Sequence, residues 1–335
     1  MDRHLQKLYC KRPHVVIVGA GASRAVMGDL CPTMNEAVEK IGLDRILKDV
    51  TLKTSSKNLE DVYSELYERG EECKEVRKQI ENALFDYFDN VYLPSFKPTI
   101  YDMLILSLTK KDCIASFNWD SLLIQAYNRV NKITSDLPEM VFLHGNVSAG
   151  VCEDCKQLGP IINRCPKCNK PFSPVPLLYP VKHKNYHDNI FIRDQWNTFD
   201  DYLIRSGAVS IFGYSAPNSD IEASEIIKKA YSTYSIAHSL DRIEIIERPG
   251  FAEDEISATW KNLLQRTKIN CTIVYDFFDS SLAIAPRRTL EYNFEALEGG
   301  NYNKTYYPLR DCDTFRELET LMAPILVLDE SPQNN

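Results

Sequence analysis

The sequence lacks any uninterrupted apolar run long enough to span a bilayer, and its N-terminal stretch has no signal-peptide core. A cytoplasmic protein without membrane association is the expectation. An excess of positive charge is also missing: 39 Lys and Arg stand against 47 Asp and Glu, for a net charge of −8. Phosphate backbones are bound by clustered cations, so direct nucleic-acid binding is not indicated. No internal repeat recurs along the 335 residues, so a repeat array is excluded. What remains is an ordinary globular composition, 44% hydrophobic and 26% charged, with enough apolar residues for a sizeable core in one large domain or two modest ones.

Apolar, β-branched runs end repeatedly in glycine or polar residues. They lie at His14–Gly19, Asp112–Phe117, Met140–Leu143, Ala208–Gly213, Arg242–Ile246 and Thr272–Tyr275. Each reads as a buried parallel strand, and helical patterns separate them, as at Ser121–Val130 and Asn218–Tyr231. The fold class is therefore α/β: a Rossmann-like parallel sheet with a helical insertion and a small zinc-ribbon module. Ligands of such sheets bind beyond the carboxyl ends of the strands. The expected sheet domain comprises 13–145 and 175–285, with 35–110 a mainly helical insertion, 146–174 the ribbon, and 286–335 a C-terminal extension for assembly or a plain surface extension. In the insertion, Val62, Leu66, Tyr67 and Ile80, Leu84, Phe85, Phe88 recur at three- and four-residue spacing.

The sharpest chemical signal is Cys152, Cys155, Cys165 and Cys168, two C-x-x-C knuckles nine residues apart. Two facing knuckles supply four thiolates to one tetrahedral Zn2+ and leave no open position, so the metal is structural. A coincidental thiol cluster is the alternative. Cys10, Cys31, Cys73, Cys113, Cys271 and Cys312 are scattered and read as small core residues or free thiols. His183 and His187 are not needed as zinc ligands once four cysteines serve.

Other motifs sit at strand ends. G-A-G-A-S at 19–23 has the first two glycines of a dinucleotide fingerprint, with Arg24 in place of the third. Gly19 suits a tight turn, Gly21 a close backbone approach by a pyrophosphate, and the following helix offers N–H groups to an anion. A purely structural glycine turn is the other reading. Asn118 and Asp120 in S-F-N-W-D-S flank Trp119 and either share a cleft or cap the next helix. His144, before Gly145, is a candidate general base or a structural imidazole. In G-Y-S-A-P-N-S-D, Ser215 is placed to bind phosphate or ribose and Asp220 to cap a helix. Glu247 is either a ribose acceptor or a loop acid.

Taken in order, G-A-G-A-S, F-N-W-D, L-H-G, the four cysteines and G-Y-S-x-x-x-x-D resemble the sirtuin superfamily over roughly residues 13–250. The resemblance implies a Rossmann-type NAD domain with a zinc-bearing module. It implies that Gly19, Ala20, Gly21, Ala22 and Ser23, with Gly213, Tyr214 and Ser215, bind NAD. It implies that Asn118 and Asp120 face the nicotinamide ribose and that His144 is the catalytic base. The chain departs from protein-deacylating sirtuins in three places. A-V-M-G-D-L follows the glycine loop instead of a G-I-P-D-F-R-like segment, Phe117 replaces the usual Gln, and P-L-L-Y-P follows the ribbon without an F-G-E-like segment. P-T-M-N-E resembles the divergent sirtuin-like domains of bacterial antiphage defence proteins, whose implied activity is NAD hydrolysis. That reading brings expectations of a homo-oligomer and a HerA-type hexameric DNA-translocase ATPase or another defence partner. A protein lysine deacylase and a non-catalytic NAD or ADP-ribose sensor are the alternatives. No paired-carboxylate motif is present, and hydrolysis does not require one, because nicotinamide leaves as a neutral group through an oxocarbenium-like transition state.

Overall fold

The structure, a computed structural model, describes residues 3–32, 34–56, 58–179, 189–216, 220, 223–227, 229, 242–250, 252–264, 270–297 and 309–329. The chain forms strands β1 (His14–Val18), β2 (Cys113–Ser116), β3 (Glu139–Phe142), β4 (Ala149–Cys152), β5 (Gln157–Pro160), β6 (Ser173–Pro174), β7 (Ala208–Phe212), β8 (Arg242–Ile246) and β9 (Asn270–Val274). Six of them make a parallel sheet in the order β3-β2-β1-β7-β8-β9. These are the six apolar runs expected as strands. The other three make a small antiparallel sheet, β5-β4-β6, in the segment that carries the four cysteines.

Helices cover both faces of the large sheet, which is why its strands read as continuous apolar runs. Val16, Val18, Ile114 and Phe142 face one layer, packed with Leu104, Leu122, Leu318 and Met322. Val15, Ile17, Cys113, Val141 and Val209 face the other, packed with Ile192, Trp196, Phe199 and Trp260. Local chemistry starts several of these helices. Thr99 and Asp102 form a capping box at Ile100–Leu106, and Asn189 accepts from Phe191 N and Ile192 N at Ile190–Arg205.

The region between β1 and β2 is helical, as expected, and has its own core of Leu59, Val62, Leu66, Ile80, Leu84 and Phe88. Tyr67 falls off that stripe and lies half-exposed, with the Arg77 guanidinium 5.1 Å from its ring centroid. Phe85 packs only from the edge. This core meets the sheet through Trp119, Val147 and Leu177.

One expectation needs correction. The described parts of 286–335 are not a surface extension: Leu318, Met322 and Ile325 of the helix Phe315–Asp329 are buried in the sheet's core. Leu290 and Phe294 close over Tyr9 and Ala208. The apolar side chains of these residues are satisfied inside the molecule. Half of the expected helix at Asn218–Tyr231 lies outside the described residues, though 223–227 are helical; His183 and His187 lie wholly outside them. Among the described residues no helix is long and apolar enough to cross a membrane.

Candidate functional site

The sheet changes direction of winding between β1 and β7, whose carboxyl ends are Gly19 and Gly213. Doubly wound sheets open a crevice at such a switch point. Here it is a cavity of about 690 Å³, lined at its centre by Gly19, Asn118, Asp120, His144, Tyr214 and Asp220. Ala20, Gly21, Ser23, Gly213 and Ser215 also line it, together with Glu247. Ala22 does not. Its side chain is fully buried in the core.

The glycines have a reason the sequence did not reveal. Gly21 N donates to Gly213 O at 2.9 Å, and Gly213 has φ +60°. A Cβ on Gly213 would stand 2.2 Å from Ala22 N, and one on Gly21 2.8 Å from Gly213 Cα. The two loops therefore touch backbone to backbone, and side chains would push them apart. Ala22 N donates to Gly19 O, so two amides that the helix start offered an anion are used within the protein.

Ser23 is the junction of the site. Its hydroxyl donates to Asp120 Oδ2 at 2.7 Å. With that proton committed, Ser23 Oγ accepts from Asn118 Nδ2 at 2.9 Å and from Tyr101 OH at 2.8 Å. Asn118 Nδ2 also donates to Gly19 O at 2.9 Å. A carbonyl can only accept, so this contact fixes which end of the amide is nitrogen. Among the described residues no donor reaches Asn118 Oδ1, and Asn118 lines the cavity. Asp120 is engaged at both oxygens, because Oδ1 accepts from Leu122 N at 3.1 Å. Asp120 thus braces Ser23 and the first residue of the helix Leu122–Val130, whose N-cap is Ser121. Burial raises its carboxyl above the usual range, and Ser23 and Leu122 N–H pull against that rise. Asn146 Nδ2 donates to Asp120 O at 2.5 Å and ties down the same turn.

His144 is buried between Phe117, whose ring meets it edge-on at 4.9 Å, and Asp220, whose Oδ1 lies 3.7 Å from Nε2. Phe117 stacks on Tyr214 at 4.0 Å and 8°. Tyr214 OH donates to Asp220 Oδ2 at 3.0 Å. The chain itself walls the far side. Trp119 meets Phe88 at 5.8 Å and Tyr179 at 5.7 Å, and Tyr179 meets Tyr63 at 5.4 Å. Leu178 N donates to His144 O at 2.9 Å. Cys31 also lines the cavity; burial, then the Asp120 charge, pushes its thiol up to about 12, so it stays protonated and is no nucleophile at neutral pH.

Sequence reasoning missed Tyr101, Asn146 and the pairing of Asp220 with His144. Asn146 follows the L-H-G motif directly and was within reach of motif reading. Nothing local marks Tyr101, whose hydroxyl is raised well above its ordinary range by burial and then by the Asp120 charge.

The four cysteine sulfurs lie within 4.8 Å of one another, apart from the cavity lining. Tetrahedral Zn–S bonds of about 2.3 Å require sulfurs about 3.8 Å apart, so the cluster fits one Zn2+. Lys156 and Asn169, each just after the second cysteine of a knuckle, take left-handed φ of 53° and 59°. Their N–H groups donate to Cys152 O and Cys165 O at 2.8 Å, closing each turn. Against a desolvation penalty, the N–H groups of Cys168 and Lys167 draw the Cys165 thiol down to about 7.

These features define an α/β protein with a polar, aromatic-walled cleft at the switch point of a six-stranded parallel sheet and a four-thiolate ribbon beside it. No family model and no curated protein matches the chain. Solved structures to which it is similar are Sir2 enzymes. One, described by the structural basis for the mechanism and regulation of Sir2 enzymes, has 15% identity and a TM-score of 0.41 over 89% of this chain and 100% of that one. A Sir2 homologue–NAD complex has 15% identity and a TM-score of 0.36 over 89% and 95% of the two chains. A serine-to-alanine Sir2 homologue with ADP-ribose has 14% identity and a TM-score of 0.37 over 89% and 98%. Identities and TM-scores this low say nothing about activity.

Proposed function

We propose that this chain is an NAD+ glycohydrolase that releases nicotinamide and ADP-ribose. The observation that carries the reading is the pairing, in one cavity of about 690 Å³, of a clamped Asn118 amide with a buried His144 imidazole. That volume suits one compact ligand, since small-molecule sites run about 300–1,000 Å³. In NAD+ the nicotinamide nitrogen is cationic and leaves neutral as its bond to C1′ breaks. Asn118 Oδ1 is the acceptor that orients water toward C1′. His144 takes a proton as the new C1′–O bond forms, and the proton passes to solvent after turnover. Water is the co-reactant, and ADP-ribose, nicotinamide and one proton are the products. Gly19–Ser23 and Gly213–Ser215 would hold the dinucleotide, Asp120 acts by holding Ser23 and Asn118, and Zn2+ stabilises the ribbon alone.

Hydrolysis fits better than deacylation because the backbone beyond β3 is already paired. Leu178 N binds His144 O, and the backbone of Pro176 sits against Gly145, where an added Cβ would meet Pro176 O at 2.3 Å. That pairing occupies the His144 carbonyl, a backbone group with which an added peptide strand could otherwise pair, and so supports the hydrolytic reading. By resemblance, the setting is NAD depletion in antiphage defence, with self-assembly or a HerA-type ATPase restraining the activity. The test is incubation of the purified chain with NAD+, with and without an acetyl-lysine peptide, following nicotinamide and ADP-ribose. Peptide-independent release is expected, and Asn118→Ala should lower it by about 100-fold or more while the fold survives. Strictly peptide-dependent release with acetyl-ADP-ribose formed would sink the reading in favour of a deacylase. NAD+ binding without turnover, with or without partner, would favour a sensor.

A further inference from the structure

Asp220 is 3% exposed and comes from the segment that leaves β7, far along the chain from His144 at the end of β3. Its main chain serves the following helix, since Asp220 O accepts from Ser224 N at 3.0 Å. Its carboxylate turns to other work. Oδ2 accepts from Tyr214 OH, and Oδ1 lies 3.7 Å from His144 Nε2. Phe117, from the end of β2, braces both neighbours by stacking on Tyr214 and meeting His144 edge-on. Three strand ends thus converge on one imidazole. A contact of 3.7 Å is slightly longer than a hydrogen bond, and catalytic contacts in ligand-free sites commonly run long and tighten with substrate.

We propose that Asp220 is a positioning residue for His144: its carboxylate orients the ring, holds the ring proton on Nε2, and serves as counterion when the ring becomes imidazolium. This rests on the glycohydrolase reading and adds to it. With the proton kept on Nε2, Nδ1 is the atom that accepts the proton from water. With Asp220 as counterion, the pair goes from one negative charge to neutral as the ring is protonated. In the cavity's low-dielectric surroundings that compensation strengthens His144 as a base. Tyr214 donates to the carboxylate and keeps it aimed.

The experiment uses the full chain labelled with 15N-histidine, the His144 signals being assigned by their loss in His144→Gln. Ring-nitrogen shifts report which atom carries the proton. The Nε2–H form is expected in the unsubstituted protein, and a tautomer mixture in Asp220→Asn. In the NAD+ assay, Asp220→Asn should lower kcat by about 100-fold or more with NAD+ binding retained, and Asp220→Glu should recover part of the loss. An Nδ1–H ring in the unsubstituted protein, or a His144 spectrum unchanged by Asp220→Asn, overturns the proposal. So does a kcat within about twofold of the original, far short of the 100-fold expected of a lost base. If Asp220→Asn does not fold, the same readouts on Asp220→Ala, which also removes the carboxylate, decide, and unchanged His144 shifts with unchanged kcat refute the pairing. Should the tautomer depend on Asp220 while NAD+ is never hydrolysed, the pairing stands and the glycohydrolase reading falls.

Discussion

At the scale of single residues, Ser23 carries more than its place in a glycine-rich loop suggests. One hydroxyl satisfies a carboxylate, an amide and a phenol, all buried. Removing it takes a hydrogen bond from each of these partners, at a cost of about 1–3 kcal/mol. Ser23→Ala should therefore lower unfolding free energy by about that amount in urea titration, and should slow NAD+ turnover because Asn118 keeps only Gly19 O and the longer contact to Tyr101 OH. Unchanged stability and rate would show that the network relaxes around the loss. Asn118, Asp120 and His144 were legible in the sequence because each stands at the end of an apolar run. Their partners were not. Tyr101 and Asp220 reach the site only through folding, and no local pattern announces such contacts.

At the scale of elements, the ribbon and the helical region differ in what holds them. The helical region between β1 and β2 has a core of its own, with Leu59, Leu66, Ile80 and Leu84 fully buried, and its apolar spacing showed this in advance. The ribbon has almost none: Phe172 is the one large side chain buried with its cysteines. Antiparallel strands this short are not stable alone, so a metal held by the four cysteines would be the main source of order there. Purified protein should carry about one zinc per chain. Cys165→Ser should lose that zinc and lower the melting temperature, with activity falling only as the fold fails. Zinc retained at full stoichiometry in the variant would contradict four-cysteine coordination. The knuckles could be read from spacing because each is closed within a few residues. The C-terminal helix could not, because an apolar stripe looks the same whether it faces the core or a partner.

At the scale of the whole molecule, the sheet has a second polar chain at the end opposite the cavity. His14 is fully buried, with Nδ1 2.8 Å from Thr289 Oγ1 and Nε2 2.9 Å from Ser210 Oγ. Ser210 Oγ in turn donates to Glu244 Oε2 at 3.3 Å. Burial holds His14 at about 4, below its ordinary 6.5, although Asp112 pulls the other way. Between those values the unfolded chain takes up a proton that the folded chain refuses, so stability rises with pH across this window. The contribution of neutral His14 is fully present above about pH 6.5 and is lost as pH falls toward 4, for a total of about 3 kcal/mol. Glu244 opposes it, because burial raises its carboxyl and disfavours the charged form at neutral pH. Comparison with His14→Gln isolates the histidine. Urea midpoints should show the unsubstituted chain losing stability relative to the variant between pH 7 and pH 4. Parallel pH profiles would show that His14 titrates freely in the fold.

The strands, the helical insertion, the cysteine knuckles and the strand-end candidates were all readable from the amino-acid order. Each of these depends on residues close together in the chain, where covalent spacing and side-chain periodicity act directly. Only the tertiary structure decided the strand order, the backbone contact of Gly21 with Gly213, the Ser23 junction, and the meeting of Asp220 with His144. Those features join strand ends that are distant in sequence. They exist because a parallel sheet wound in two directions from β1 and β7 brings its carboxyl ends to one crevice.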